Sequence, residues 1–179
     1  KPITMTPISN TAANVDRYAN GEGLRAFVAS YAAMGANAPT MQLTYTNSAG
    51  TTGRTTTAGI VSTASATSGT ILNSGNAANK VGPFLTLAAG DTGIKDLESL
   101  AWGGTAHASG SVFIGLCKPL CMPIPVPATG LYNMVDFVNT LPSMPRLRNG
   151  ANIQFLVFGT GATTAAATLY TNFDYGWGG

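Results

Sequence analysis

Residues 23–46 decide the fold class, and they have the sequence GLRAFVASYAAMGANAPTMQLTYT. Apolar residues in the first half, residues 23–35, fit a helical face as well as an alternating strand, so periodicity alone leaves both structures open. The second half alternates apolar and polar residues, which is typical of a half-buried strand. Ala36 to Pro39 separate the halves with the composition of a turn. The stretch predicts a β-hairpin, with a helix over residues 23–35 as the alternative.

Glycine and proline divide the rest of the chain into short runs, with 22 Gly and 10 Pro among 179 residues. Most intervals are too short for ordinary helices, and short runs between turn signals are typical of strands. A second hairpin is predicted between a strand at residues 94–102 and a buried strand at residues 112–116. A third turns at Asn149–Gly150, the strongest two-residue hairpin signal in the chain.

Further strands and loops complete the predicted fold. Strand patterns lie at residues 82–87, 131–137 and 168–175, a loop runs into an exposed strand at residues 51–57, and residues 62–80 form a surface excursion with little core. The predicted fold class is all-β: a two-sheet antiparallel sandwich, jelly-roll-like, of about eight to ten strands with long Gly/Ser/Thr/Ala loops. One domain over residues 1–179 fits the chain length, with residues 1–20 as an N-terminal extension or arm.

Charged residues make up only 9% of the chain, nine Lys/Arg and seven Asp/Glu, against roughly a quarter in an ordinary soluble domain. Such a surface consists of Thr, Ser, Asn, Ala and Gly, which suits a protein packed against copies of itself or other proteins better than a free cytoplasmic enzyme. The basic residues are scattered, which argues against nucleic-acid binding. Apolar stretches are far shorter than the roughly 20 residues of a membrane-spanning helix.

Residues for metal or cofactor chemistry are sparse. His107 is the sole histidine and has no cysteine or carboxylate near it in sequence, so no metal site is expected. The spacing of Cys117 and Cys121 permits a disulfide, but reduced, buried thiols are the prediction. Phosphate-binding and dinucleotide-binding glycine motifs are absent, and no cofactor is expected.

Three carboxylates lie close together in sequence, at Asp91, Asp96 and Glu98. A glycosidase-type acid and base pair drawn from them is the enzymatic alternative. Asp91 stands in a Gly-Asp-Thr-Gly turn, where an aspartate usually accepts hydrogen bonds from local backbone, and this structural role is the prediction. Aspartic proteases also use Asp-Thr-Gly, but Ala88 to Gly90 replace the apolar residues that their catalytic loop needs. No catalytic residue is assigned.

Aromatic side chains are the candidates for a binding surface. Aromatic residues in strands belong to cores and subunit interfaces more often than to sugar-binding platforms. A glycine-flanked tryptophan at a chain end gains order by docking on a neighbour. The candidate subunit-interface residues are Trp102, Tyr170, Tyr175 and Trp177.

Several short motifs occur in order from about residue 20 onward. They are LTYTNSAG (43–50) followed by TGRTT (52–56), GPF (82–84) followed by AGDTG (89–93), CKPL (117–120), LPSMPR (141–146) and FDYGWG (173–178). Together they resemble a group of tailed-bacteriophage virion structural proteins that are found in head gene neighbourhoods. Each motif is weak alone, and their order and spacing carry the resemblance.

The resemblance implies a non-enzymatic component of a virus particle, a capsid decoration or cement protein with no catalytic residues to carry over. The expected partners are the major capsid protein or other virion proteins and further copies of this chain, with a trimer favoured. The expected location is the virion, assembled in the cytoplasm of a bacterial host. The alternative is a tail or receptor-binding module that contacts tail proteins or host glycans.

Overall fold

The computed structural model describes residues 3–4, 18–57, 60–61, 65–72, 83–105, 108–120, 153 and 156. These residues form seven β-strands and no helix, and all strand pairs are antiparallel. The strands are β1 (Ile3–Thr4), β2 (Arg25–Ala32), β3 (Thr40–Asn47), β4 (Arg54–Thr55), β5 (Ile60–Val61), β6 (Ile94–Gly103) and β7 (Ser111–Cys117). The all-β prediction is confirmed for this part of the chain. It contains no helix long and apolar enough to cross a membrane.

The strands form two separate sheets. The larger sheet has the order β1-β6-β3-β4, and β5 also pairs with β3. The smaller sheet consists of β2 and β7 and is called the β2–β7 ribbon below. As predicted, β3 buries Met41, Leu43 and Tyr45, because successive side chains of a strand point to opposite faces.

The strand β6 contains two β-bulges, because its register with β3 skips one residue at Glu98 and another at Lys95. Its buried side chains are Ile94, Leu97 and Leu100, three residues apart. In sequence that spacing suits a helical face. Each bulge adds one residue that has no direct partner, so the next apolar side chain returns to the core side of the sheet.

In the β2–β7 ribbon one aromatic contact fixes the packing between the strands. The ring of Phe27 lies over Gly115, where a Cβ atom would overlap it. It also meets the ring of Phe113 edge to face, with centroids 6.0 Å apart. Because only a glycine leaves room for the ring, Phe27 stays buried while Phe113 is 45% exposed.

One hydrophobic cluster contains buried side chains from both sheets. Its members are Ala26 and Val28 of β2, Met41, Leu43 and Tyr45 of β3, Ile94, Leu97 and Leu100 of β6, and Met34, Ala66, Leu72, Leu85 and Leu87 from the connections. Val112, Ile114 and Leu116 of β7 pack against it while partly buried. The two sheets therefore share a core.

Both strands of the first predicted hairpin exist, but the hairpin itself is wrong. The strand predicted within residues 23–35 is confirmed by β2, and the helical alternative is wrong; β2 and β3, however, lie in different sheets. The connection between them does not turn back, because its backbone binds other segments. Met34 N donates to Ala66 O at 2.8 Å, and Gly35 N donates to Ser109 O at 3.1 Å.

The second predicted hairpin is wrong for the same reason. Its strands correspond to β6 and β7, but β6 pairs with β1 and β3 while β7 pairs with β2. The chain thus crosses between the sheets after Gly103. The predicted burial of residues 112–116 is also wrong, since these residues are half-buried or exposed.

Two connections differ from their predicted structure. Residues 83–87 form no strand. Their backbone makes single hydrogen bonds to two separate segments: Leu85 N donates to Ala26 O, and Thr57 N donates to Thr86 O. The excursion over residues 62–80 was expected to hold little core. Within its described part, Ala66 and Leu72 are buried in the shared cluster.

The short strand β4 agrees with the loop and exposed strand predicted at residues 51–57, except that Thr56 is 1% exposed. Its hydroxyl accepts a hydrogen bond from Leu43 N at 2.9 Å. The strands predicted at residues 131–137 and 168–175 and the hairpin at Asn149–Gly150 lie outside the described residues. Of the predicted arm, residues 3–4 pair with β6 as β1.

The start of β6 approaches the chain before β2 backbone to backbone. Glu22 and Gly93 form an antiparallel bridge. A Cβ atom at Gly93 would overlap the carbonyl oxygen of Gly21 and crowd the amide nitrogen of Gly23. Gly21 itself has a φ of +75°, which side chains rarely tolerate. This contact joins the two sheets at one end of the fold.

We expect Gly93→Ala to destabilise the protein by about 3 kcal/mol or more, because both clashing groups are backbone atoms that cannot rotate away. Gly90→Ala is the matched control. Gly90 also lies in this region, at a φ of +85° but with nothing within 4 Å of a Cβ atom, so its cost is about 1 kcal/mol. Urea denaturation monitored by tryptophan fluorescence measures both changes. Equal destabilisation by the two substitutions would contradict the close approach.

A carboxylate-anchored loop end as the candidate functional site

Three loops meet at the end of the fold where β3 finishes and where β2 and β6 begin. We call residues 18–24, 47–54 and 88–93 together the loop end. Backbone hydrogen bonds join the three loops. Ser48 N donates to the carbonyl oxygen of Gly93 at 3.1 Å, and Gly23 N donates to the carbonyl oxygen of Thr92 at 3.2 Å. The loop end is therefore one connected surface.

The carboxylate of Asp91 is the centre of the loop end. Its Oδ2 accepts hydrogen bonds from the Tyr45 hydroxyl at 2.6 Å and from Arg54 Nε at 2.9 Å. Its Oδ1 accepts one from Asn47 Nδ2 at 2.8 Å. The Asp91 side chain is 4% exposed and that of Arg54 is 34% exposed. A carboxylate hidden to this degree is tolerated because an opposite charge and two further donors replace its water.

Each donor to Asp91 holds a second piece of backbone. The Tyr45 hydroxyl accepts from Ala88 N at 2.9 Å, and Asn47 Oδ1 accepts from Thr51 N at 2.8 Å. Arg54 Nη2 donates to the carbonyl oxygen of residue 89 at 3.2 Å. The network thus ties the turn at residues 88–91 to both arms of the hairpin between β3 and β4.

The network shifts the protonation equilibria of its members. Hydrogen bonds from Arg54, and then from Tyr45, hold the pKa of Asp91 at about 2, below its ordinary 3.8. Burial, reinforced by the hydrogen bond to Asp91, raises the pKa of Tyr45 to about 12. The hydrogen bond to Asp91 raises the pKa of Arg54. Asp91 is therefore ionised, and Tyr45 and Arg54 protonated, across the physiological pH range.

A second carboxylate holds the tip of the same hairpin. Glu98 Oε1 accepts from the Thr46 hydroxyl at 2.8 Å and from Gly53 N at 3.0 Å. Glu98 is the residue that a β-bulge inserts into β6, and bulges commonly redirect a side chain in this way. The hairpin is thus fixed by Asp91 at both arms and by Glu98 at Thr46 and Gly53.

A third carboxylate, that of the exposed residue Glu22, links the three loops at the surface. Glu22 Oε2 accepts from the Thr92 hydroxyl at 2.8 Å, and the Thr92 oxygen lies 2.9 Å from the Ser48 hydroxyl oxygen. These contacts link one residue from each of the three loops. The exposed positions of the loop end are Ala19, Asn20, Glu22, residues 49–53, Ala89, Gly90 and Thr92. All but Glu22 are uncharged.

The three carboxylates that the sequence offered as an acid and base pair have different surroundings in the structure. Of the three candidate carboxylates, the structure brings Asp91 and Glu98 to one hairpin, and Asp96 lies on β6 opposite Thr46. An acid catalyst needs a raised pKa, whereas that of Asp91 is lowered. The predicted structural role of Asp91 agrees with the network. The predicted donors are wrong, however, because the Asp91 carboxylate accepts from side chains distant in sequence and not from the backbone of its own turn.

Of the four predicted interface residues, the structure describes only Trp102. Trp102 of β6 lies opposite Met41 of β3. Its partly buried side chain packs against the shared core. Tyr170, Tyr175 and Trp177 lie outside the described residues, and all four interface assignments stay predictions. Two exposed aromatic residues that the sequence did not single out lie in the β2–β7 ribbon, Tyr31 at 74% exposure and Phe113 at 45%.

The remaining candidates for chemistry give no reactive site among the residues described. Cys117 is a free, half-buried thiol, and burial raises its pKa, which makes it less reactive. Cys121 and His107 lie outside the described residues. Among those described, no group of three or more His, Cys, Asp or Glu side chains is placed to hold a metal ion.

Sequence reasoning missed Tyr45, Asn47 and Arg54 as partners of Asp91, although one signal was present. Arg54 is the single charge in residues 47–57, and Asp91 is the single charge in residues 84–94. In a chain so poor in charge, two isolated opposite charges in turns are candidates for a pair.

Comparison with known proteins adds no relative: no family model, no curated protein and no solved structure matches this chain. The phage-protein resemblance of the sequence motifs therefore stays a prediction.

Replacing Asp91 tests the network. We expect Asp91→Asn to lower the free energy of unfolding by about 2 kcal/mol at neutral pH, because the amide removes the charge facing Arg54 and one acceptor oxygen. The folded-state pKa of Asp91 lies below its ordinary value, so its contribution is complete above about pH 4 and disappears as the pH falls toward about 2. Denaturant titrations from pH 7 to pH 2 measure this difference.

Glu22→Gln is the matched control, since Glu22 is an exposed carboxylate of the same loop end and glutamine keeps an acceptor oxygen for the Thr92 hydroxyl. It should cost less than about 0.5 kcal/mol at neutral pH. A wild-type advantage over Asp91→Asn that stays constant down to pH 2 would contradict the role given to the ionised carboxylate.

Proposed function

We propose that this protein is a non-enzymatic structural component of a bacteriophage particle, a decoration or cement protein that binds the head shell and stabilises it. The observation that carries the proposal is the loop end, whose exposed surface is almost uncharged and whose backbone is fixed by three carboxylates. The resemblance of the ordered sequence motifs to phage virion proteins supports the same conclusion.

The energetics of a repeated contact favour such a surface. Specific interfaces bury on the order of 1,600 Å² in total, and loops that are already fixed lose little conformational entropy on binding. An uncharged polar surface also avoids the cost of removing water from ion pairs. Repetition over many sites makes modest affinities add up. Stabilisation of the shell against internal DNA pressure would thus arise from burial at many equivalent positions.

The proposed architecture is a jelly-roll-like sandwich of the two sheets. The hydrophobic cluster shared by β2, β3 and β6 supports it, because facing sheets bury their inner side chains in one layer. The proposed partners are the major capsid protein or other virion proteins, together with further copies of this chain in a trimer. Trp102, Tyr170, Tyr175 and Trp177 are the proposed contacts between copies.

A tail or receptor-binding module is the second candidate. The observation that favours it is the pair of exposed aromatic residues in the β2–β7 ribbon, Tyr31 and Phe113. Aromatic rings offer an apolar face with a polar edge, and the apolar faces of sugar rings stack on such surfaces. Host glycans are the ligand class that these two rings would take.

Location in the particle separates the two candidates. Purified phage particles, imaged by cryo-electron microscopy with a Fab raised against the protein, should carry label over the whole head surface. Quantitative mass spectrometry should give on the order of hundreds of copies per particle for a head position and small multiples of three or six for a tail position. Label confined to the tail would replace the first proposal by the second.

A charge placed on the loop end tests its role in binding. We expect Thr52→Glu to fold normally, since Thr52 is exposed, and to lower the affinity for particles stripped of this protein at least about 10-fold, because the interface would bury an unpaired charge. Thr105→Glu is the matched control, an exposed threonine beyond the opposite end of β6. Co-sedimentation with stripped particles measures both. Equal binding by the two variants would exclude the loop end from the interface.

A further inference from the structure

The strand β7 lacks the charges and prolines that usually protect the edge of a sheet. In the described part of the chain it pairs with β2 alone, and none of its residues makes a backbone hydrogen bond elsewhere there. Its seven residues have the sequence SVFIGLC, without a charge or a proline. Natural edge strands are commonly protected by charged residues, by proline or by being very short. An unprotected edge is a template for pairing with another strand.

The burial of the two ribbon strands also marks this edge. The three side chains of β7 that pack against the shared core are only partly buried, whereas their partners on β2 are at most 1% exposed. The three pairs are Val112 with Ser30, Ile114 with Val28 and Leu116 with Ala26. Both strands lie against the same core, so the difference arises because β2 has neighbours on both edges and β7 on one.

The hydrogen bonds of β2 determine which backbone groups of β7 point outward. On the far edge of β2, Ser30 N donates to Thr70 O at 2.9 Å and Ala26 O accepts from Leu85 N at 2.8 Å. Backbone groups alternate between the two edges of a strand, so alternate residues of β2 direct theirs away from β7, and the residues opposite them direct theirs away from β2. The outward N–H and C=O groups of β7 therefore belong to Val112, Ile114 and Leu116.

We propose that this edge pairs with β7 of a second copy of the chain, antiparallel and around a two-fold axis at Ile114. Two β2–β7 ribbons then form one four-stranded sheet. Ile114 lies opposite the partner's Ile114, and Val112 lies opposite the partner's Leu116. The outward groups thus form three pairs with two hydrogen bonds each. No other register of the two strands pairs all three residues.

The side chains of β7 fit a second copy of the same strand. In this register Phe113, which is 45% exposed, lies opposite the partner's Gly115. The ring of Phe27 covers that glycine and meets Phe113 edge to face within each copy, so the aromatic contact continues from one copy into the other. Pairing therefore covers an exposed ring without displacing another side chain of the strand.

The charges near β7 are compatible with pairing between two copies. The strand itself is uncharged, so the contact buries no unpaired charge. The nearest charge along the chain is Lys118. The two-fold axis puts the two Lys118 residues at opposite ends of the strand pair, about 27 Å apart, where their repulsion is screened by salt.

This contact is separate from the interfaces proposed above. It has two-fold symmetry, whereas the proposed trimer contacts are three-fold, and it uses no residue of the loop end. Pairing can take place in purified protein. Its failure therefore leaves the head and tail candidates as they stand, and a protein that proves not to belong to a particle can still pair through β7.

Disulfide trapping tests the register in the full-length chain. The proposed pairing puts Ser111 opposite the partner's Cys117, in a non-hydrogen-bonded pair whose Cα atoms are about 4.5 Å apart, within the range that a disulfide spans. Within one chain the two positions lie on the same strand about 20 Å apart, so no internal bridge can form. Ser111→Cys is made in a Cys121→Ser background. The protein is oxidised at mildly alkaline pH, where more of the thiol is ionised, and run on a non-reducing gel.

We expect a covalent dimer that forms at least about 10-fold faster than in the matched control, the same chain with Cys117→Ser, which lacks the partner thiol. Adding Phe113→Lys should slow its formation at least about 10-fold, because a charge at the edge opposes pairing. Tyr31→Lys should not slow it, since Tyr31 is an exposed aromatic residue of the same ribbon on the other strand. Circular dichroism verifies the fold of each variant.

Three outcomes would overturn the proposal: no covalent dimer, a dimer that forms equally fast without Cys117, or equal slowing by the two lysine substitutions. Sedimentation velocity of the chain without an added cysteine is an independent measurement. Phe113→Lys should raise the dissociation constant between copies at least about 10-fold, whereas Tyr31→Lys should leave it unchanged. The same dissociation constant for wild type and Phe113→Lys would count against pairing through β7.

Discussion

The carboxylate of Asp91 is the constraint on which the loop end depends. It is nearly buried, and it keeps its charge because Tyr45, Asn47 and Arg54 converge on its two oxygens. Removing any donor would leave a desolvated charge without a full set of partners, which is costly. The positions of β3, β4 and the 88–91 turn are therefore coupled. The Asp91 carboxylate thus fixes two of the three loops of the loop end, and the Glu22 carboxylate links the third to them.

This coupling gives the low charge content of the chain a specific meaning. Three of its seven acidic residues, Glu22, Asp91 and Glu98, accept hydrogen bonds that join loops to strands or to one another. In the part of the chain that the structure describes, these charges fix the loops, and the exposed positions of the loop end other than Asn20 and Glu22 are Ala, Gly and Thr. A surface of this kind has a defined shape, and few charged groups lose their water when it binds a partner. Those two properties suit a protein that meets the same neighbour at many equivalent sites.

The sequence was informative about strands and poor about their partners. Alternation identified β3, and dense glycine and proline indicated the all-β class. Pairing was wrong for both tested hairpins, because the connections at Met34 and after Gly103 cross between sheets, and nothing local marks such a crossing. The bulges at Lys95 and Glu98 could not be predicted, because they place apolar residues three positions apart on one face, a spacing that in sequence suits a helix. The Asp91 network was missed since its members are 37 to 46 residues from Asp91 in the chain, although the isolation of Arg54 and Asp91 was a usable signal.

Side-chain acceptors hold the loop end rigid, and amide hydrogen exchange measured by NMR can test this rigidity residue by residue. Three loop amides donate to side-chain oxygens of the network: Thr51 to Asn47, Gly53 to Glu98 and Ala88 to Tyr45. We expect these amides to exchange at least about 100-fold more slowly than the amide of Thr52, which has no acceptor among the described residues. Exchange of all four at the same fast rate would contradict it.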